Sequence, residues 1–311
     1  MPTPSRIGTG WHSRSTPSHS RPGRTASGRG ACSGLVGLCH AGRVQRWVLD
    51  LDGVVWRGRE SVPGAAGAIA RLKAERIEVV YCTNHAQSPA KKERELAARG
   101  VPGFPVVTSA EAAVAQCRSG DRVLVLGDRS LLDVVRGAGF DALHTEDLPA
   151  DGPAPPVEVV VVGATAHWDR SQVGLAADAV RAGARFLATN DDATFPVSGA
   201  NGPRLLPGNG AMVAAVEVTS GVRAEVTGKP HAAMADLVRT RYGAVDVVVG
   251  DKPETDGALA ERLGARFALV LSGVTSAADL PVVPAPAVVG VDLADVVAQL
   301  VTGPGTGELT A

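Results

Sequence analysis

Short runs of Val, Ile and Leu recur along this chain, each followed by a stretch with helical spacing, and that alternation limits the fold more than any other feature. The runs are Val44–Leu49, Ile77–Cys82, Arg122–Leu126, Glu158–Val162, Ala184–Ala188, Val245–Val249 and Arg266–Leu271. Helical stretches fall at Gly64–Glu75, Ala90–Arg99, Ala110–Cys117, Leu131–Gly137, Ser171–Ala182, His231–Tyr242 and Asp256–Leu263. A strand that is apolar on both faces must be covered on both, the condition of a parallel sheet with helices on either side. The expected fold class is therefore α/β, built on a doubly wound parallel sheet. Pro63, Pro89 and Pro230 stand near predicted first turns, where a missing N–H costs nothing.

Charge is distributed unevenly. The 311 residues carry a net charge of −1, yet residues 1–49 hold seven Arg and no Asp or Glu. The remainder has 24 basic against 32 acidic residues. With 4% aromatics, such a body lacks the basic stripes and stacking platforms of a nucleic-acid-binding surface. No apolar run approaches the roughly 18 residues of a spanning helix, so no membrane partner is expected. Cys32, Cys39, Cys82 and Cys117 show no Cys-x-x-Cys spacing and read as thiols of a reduced, cytoplasmic protein. Residues 1–42 have little to bury and are expected to form a disordered basic tail, with a second short tail at 304–311. A secretory signal or a transit peptide is the weaker reading of 1–42, because the apolar run Ala31–Cys39 is short and holds two glycines.

Chemistry-bearing residues collect at the carboxyl ends of the predicted strands, where open α/β sheets hold their ligands. The first strand runs into Asp50-Leu51-Asp52-Gly53, two carboxylates on one face of an extended chain unless Gly53 lets it bend. The second runs into Thr83-Asn84-His85, a hydroxyl and an amide before a helix start that could hold an oxyanion or merely cap that helix. Thr227-Gly228-Lys229-Pro230 fixes a lysine in a short turn. Val247–Gly250 delivers Asp251, and Thr255-Asp256 follows at a helix start, where capping is an alternative use.

In this order the four segments resemble the motifs of the haloacid dehalogenase superfamily of phosphatases. The match is closest to the p-nitrophenylphosphatase-like branch, which includes phosphoglycolate, pyridoxal phosphate and glycerol 3-phosphate phosphatases. The resemblance runs from about residue 44 to 302 and includes Pro63-Gly64, Ala188-Thr189-Asn190-Asp191-Asp192 and Pro207-Gly208-Asn209-Gly210. It implies a Rossmann-like core over 43–118 and 224–303, with an inserted α/β cap domain at 119–223. The 146 residues from Thr83 to Lys229 leave room for such an insert. A homodimer through the cap is compatible with it.

The resemblance also implies roles. Asp50 would be the nucleophile that forms an aspartyl-phosphate, and Asp52 the general acid and base. Asp50, the Asp52 backbone carbonyl and Asp251 would hold Mg²⁺. Gly53, Thr83, Asn84 and Lys229 would bind phosphate, and Asp256 would support the metal or Lys229. His85, where the family often has another Asn or Ser, would be a substrate contact or a solvated helix cap. Asn190 and Asp191 would belong to a substrate-reading loop at 190–196, the alternative being an ordinary surface loop rich in Asp and Asn. The expected activity is Mg²⁺-dependent hydrolysis of a small phosphorylated metabolite, such as glycerol 3-phosphate or phosphoglycolate, with p-nitrophenyl phosphate as a general substrate. Alternatives are a phosphoacceptor signalling domain, a dehalogenase, or a catalytically inactive binding protein of the same fold. The first would need no insert, and the second no acid at Asp52.

Overall fold

Trp47, Val48 and Leu49 lie in the middle of a six-stranded parallel sheet, each with a partner on both sides. The strands follow the order Val288–Gly290, Arg266–Val270, Val247–Gly250, Arg46–Leu49, Glu78–Thr83 and Val106–Thr108. This is a computed structural model, and it describes residues 44–301 apart from 102, 200 and 201. The tails expected at 1–42 and 304–311 lie outside the described residues.

Alternation along the strands splits the core. Trp47 and Leu49 pack with Ile69 and Leu72 of helix Ala65–Ala74 and with Leu293 and Val296 of helix Leu293–Leu300. Val48, Val80 and Val248 face the other way, onto Met234 and Val238 of helix Ala232–Tyr242 and Leu259 of helix Ala258–Leu263. Each such buried side chain contributes about 1.5–3 kcal/mol, and both faces of the sheet are covered, as its uninterrupted apolar runs require.

From Arg46–Leu49 the chain moves outward to Glu78–Thr83 and Val106–Thr108, then returns to the opposite side at Val247–Gly250. That reversal opens a crevice beyond the carboxyl ends of Arg46–Leu49 and Val247–Gly250. Asp50 and Asp251 are the next residues in each case.

Residues 122–226 supply a second parallel sheet, in the order Glu225–Val226, Arg185–Ala188, Val159–Val162, Arg122–Leu126 and Asp141–His144. One face packs on Ala176 and Val180 of helix Arg170–Arg181 and Met212 and Val216 of helix Asn209–Ser220. The other packs on Leu131 and Val135 of helix Arg129–Gly137.

Two differences from the sequence reading bear on the site. The stretch 190–196, expected as loop, ends in an antiparallel hairpin, Thr194–Gly199 paired with Gly202–Pro207. Proline is tolerated there because both strands of a two-stranded ribbon are edges. Asn209–Ser220, where no helix was expected, is helical and carries Asn209 at its first turn.

Candidate active site

The first strand ends in a tight reversal. Asp50 N donates to Val249 O (2.9 Å), extending the ladder by one residue. The carbonyl of Leu51 then accepts from Val54 (3.4 Å), Val55 (2.8 Å) and Trp56 (3.2 Å), so the chain folds back on itself at once. Gly53 sits inside that turn at φ 82°, a conformation that favours glycine. A Cβ there would lie 2.3 Å from Asp251 Oδ2, and a Cβ at Gly273 only 1.9 Å away. The Asp251 carboxylate is therefore cradled between two glycines, with Oδ2 accepting from Val274 N (2.6 Å).

Lys229 joins the strands' ends. Its ammonium lies 2.7 Å from Asp50 Oδ1 and 2.7 Å from Asp256 Oδ1, and the side chain is 3% exposed. Asp256 is fully buried, and its Oδ2 accepts from Lys252 N (3.2 Å). Of the two uses open to Asp256, the direct hydrogen bond is with Lys229. Carboxylate oxygens of Asp50, Asp251 and Asp256 lie within 4.8 Å of one another.

Three buried carboxylates, two of them against the Lys229 ammonium and with Lys252 as the other nearby cation, are short of positive charge. Burial pushes the Asp50 carboxyl well above its usual range; Lys229 pulls against this, and Asp256, Asp251 and Asp52 add to it. Burial and then Asp256 push Asp251 up to about 6. Burial works against the charge on Lys229, yet Asp256 and Asp50 outweigh it and hold the ammonium well above its usual value. Asp251 Oδ1 is buried without a hydrogen-bond partner among the described residues. A hard divalent cation fits this donor set: it would satisfy that oxygen and supply the missing charge.

The Asp52 carboxylate stands apart from the cluster and accepts a hydrogen bond from Trp56 Nε1 (3.0 Å). Thr83 is 2% exposed at the end of its strand, and its Oγ1 accepts from His85 N (3.1 Å). Asn84 is engaged otherwise than expected: its carboxamide donates to Lys229 O (3.0 Å) and accepts from Lys229 N (2.7 Å). Asn190, expected to read substrate, is buried and donates to Asn84 O (2.8 Å). Asn209 in turn donates to Asn190 O (2.6 Å). These amides tie the second sheet's loop to the first sheet's strand end.

Asp191 is exposed, with His231 Nε2 3.8 Å from its Oδ1. The His85 ring stands edge-on to Phe195 at 6.1 Å. Burial, then Lys92, lowers its pKa and favours the neutral imidazole, against the opposite pull of Asp52.

Trp56, Lys252, Ser272 and Gly273 were not picked out from sequence, and Asn209 only as part of Pro207-Gly208-Asn209-Gly210. Ser272 donates to Gly53 O (2.6 Å) and so anchors the turn that carries Asp50 and Asp52 from beyond the end of strand Arg266–Val270, two strands away. The available signal was positional: the first residues after strand Arg266–Val270 border the same crevice.

Models of known families and known proteins match the chain over these elements. Residues 47–141 match the haloacid dehalogenase-like hydrolase family, and residues 226–296 match a second model of the same hydrolase group. A D-glycerol 3-phosphate phosphatase of Mycobacterium tuberculosis is 34% identical over 241 residues, covering 75% of this chain and 64% of that protein. Human chronophin is 32% identical, over 75% of this chain and 83% of its own length. Among solved structures, a glycerol phosphate phosphatase from M. tuberculosis in complex with magnesium superposes with a TM-score of 0.70 at 33% identity, covering 85% of this chain and 80% of that one. A Pyrococcus horikoshii protein of hypothetical function gives a TM-score of 0.74 at 27% identity, over 83% and 100%.

Proposed function

The chain belongs to the haloacid dehalogenase-like hydrolases, and from the site it builds we propose that it is a Mg²⁺-dependent phosphomonoesterase acting on a small phosphorylated metabolite. The observation that carries this reading is the Lys229 ammonium held between Asp50 and Asp256, beside the unpartnered Asp251 oxygen. Such a site attracts a phosphate dianion only once a cation balances its carboxylates. Asp50, Asp251 and the Asp52 backbone carbonyl would hold Mg²⁺, which when bound supplies charge neutralisation and orients the phosphate.

The residues then divide the work. An Asp50 oxygen attacks phosphorus, and the bond from phosphorus to the leaving oxygen breaks. Asp52 protonates that oxygen, so the product leaves as an alcohol. A water next attacks the aspartyl-phosphate, giving its proton to Asp52, and inorganic phosphate leaves with Asp50 restored. Lys229 balances charge on Asp50 and the phosphate throughout. The Thr83 hydroxyl and the amides near Gly53 would bind phosphate oxygens.

Residues 119–223 would act as a cap on a core formed by 43–118 and 224–303. The tie from Asn190 to Asn84 and the pairing of Phe195 with His85 support this. They set the loop 190–196 beside the second motif, where a leaving group would lie. With relatives named glycerol 3-phosphate phosphatase and acid sugar phosphatase, a small polyol or sugar phosphate is the substrate class we favour. A cytoplasmic setting accords with the free thiols Cys82 and Cys117. Among the described residues no helix is long and apolar enough to cross a membrane. The test is phosphate release from a panel of phosphorylated metabolites and p-nitrophenyl phosphate, with and without Mg²⁺. Activity that survives chelation, or that persists in Asp50→Asn, would overturn the reading.

A further inference from the structure

We propose that Trp56 is a positioning residue for Asp52, setting which of its carboxylate oxygens exchanges the proton with the leaving group; this rests on the phosphomonoesterase reading above. Trp56 Nε1 donates to Asp52 Oδ1 at 3.0 Å across four residues of chain. The indole is 3% exposed and has little freedom to move. Its backbone is tied twice into the turn that carries Asp52, since Gly53 N donates to Trp56 O (2.7 Å) and Trp56 N donates to Leu51 O (3.2 Å). The ring face is covered by cations: the Arg99 guanidinium carbon lies 4.7 Å and Lys92 Nζ 5.7 Å from the centroid. Lys92 is itself buried and paired with Glu95 at 2.9 Å.

The consequence follows from what each group can do. An aspartate has two equivalent oxygens and two rotatable bonds, so an unrestrained Asp52 would sample many orientations. A rigid donor occupying Oδ1 removes that freedom and leaves Oδ2 to carry the proton. During attack by Asp50, that proton passes from Oδ2 to the leaving oxygen as its bond to phosphorus breaks. In the second step Oδ2 recovers a proton from water. The indole N–H stays on nitrogen throughout and reacts with nothing. A buried indole nitrogen needs a partner in any case, so a purely structural role is the competing account.

Leaving-group dependence separates the two. Phenyl phosphate and p-nitrophenyl phosphate share a shape apart from the nitro group, but phenolate is the more basic leaving group and needs its proton more. Trp56→Phe keeps an aromatic ring under Arg99 and Lys92 and removes the donor together with part of the buried bicycle. The expected result is a fall in kcat of about tenfold or more with phenyl phosphate and a much smaller one with p-nitrophenyl phosphate, within the span of general acid catalysis. In an Asp52→Asn background, Trp56→Phe should add nothing further. Equal losses with both esters, no loss with either, or full additivity with Asp52→Asn would overturn the proposal. Should Trp56→Phe fail to fold, β-(3-benzothienyl)alanine at position 56 retains the bicyclic shape, lacks the N–H, and reads out the same ratio. A wild-type protein that releases no phosphate from either ester or from the panel of phosphorylated metabolites with Mg²⁺ would instead overturn the parent reading of the site.

Discussion

The Asn84 carboxamide closes a ring of two hydrogen bonds with the backbone of Lys229, a residue 145 positions further along the chain. The end of the second strand thereby sets where the ammonium stands. Asn84→Ala should leave the hydrogen bonds from the Asn190 and Ser109 side chains to Asn84 O in place while freeing the Lys229 turn. The expected effects are a stability loss of about 1–3 kcal/mol, from unpaired backbone groups, and a fall in kcat of roughly tenfold to hundredfold. Thermal unfolding and steady-state kinetics check both. A variant with wild-type kcat would show that the turn holds its shape unaided.

Lys229 and Asp251 should fail in distinguishable ways. Asp251 has a buried oxygen with no partner among the described residues, so Asp251→Ala should chiefly weaken Mg²⁺ binding, with part of the activity returning at high Mg²⁺. Lys229→Ala leaves Asp50 and Asp256 facing one another without their shared cation. It should cost about 3–5 kcal/mol in stability, as removal of one partner of a buried pair does, and about 10²–10³-fold in kcat. Added Mg²⁺ should not restore that rate, because the ion cannot take the place of Nζ. The measurement is rate against Mg²⁺ for each variant. Rescue of Lys229→Ala alone would reverse the two assignments.

The four chemical segments were legible because each stands where an apolar run stops or where Gly and Pro fix a turn: Asp50 after Leu49, Thr83 after Cys82, Asp251 after Gly250, and Lys229 between Gly228 and Pro230. What could not be read was mutual arrangement. Asn84 and Asn190 suggested phosphate and substrate contacts by residue type. Their hydrogen bonds, to Lys229 and to Asn84, depend on two sheets being brought together. The helix Asn209–Ser220 was hidden because Gly210, Val213, Val216, Val218 and Thr219 give it poor local propensity, and burial of Met212 and Val216 compensates. Trp56, directly after Val55, carried no signal of its own in the sequence. Only the reversal at Leu51 brings its nitrogen back to Asp52.

Asp50 and Asp52 should separate by intermediate as well as by rate. Asp50→Asn should yield no acid-stable phosphoprotein and no detectable turnover. Asp52→Asn should retain the nucleophile and its contact with Lys229, so a trapped phosphoprotein should form, with turnover lower by about 10²–10⁴-fold. Intact-protein mass spectrometry after rapid acid quench distinguishes them. Phosphate found on Asp50→Asn would mean that another residue is attacked.

The charge deficit of the cluster gives a pH-dependent response to metal. Burial and Asp256 push the Asp251 carboxyl up to about 6. In the unfolded chain it returns to about 3.9. Between these values the folded, metal-free protein binds more protons at this position than the unfolded chain does, so its stability falls as pH rises. The contribution is fully present below about pH 4 and lost as pH rises through 6. Mg²⁺ works in the opposite sense, because it binds the ionised carboxylates and competes with their protons. Added Mg²⁺ should therefore raise Tm strongly at pH 7.5 and far less at pH 5. In Asp251→Asn, which has no carboxylate to titrate at that position, the difference between the two pH values should shrink. Differential scanning calorimetry of the metal-free protein, with and without Mg²⁺ at both pH values, makes the comparison. An equal Mg²⁺ shift at pH 5 and 7.5 would mean that the ion does not compete with the proton on Asp251 and is held elsewhere.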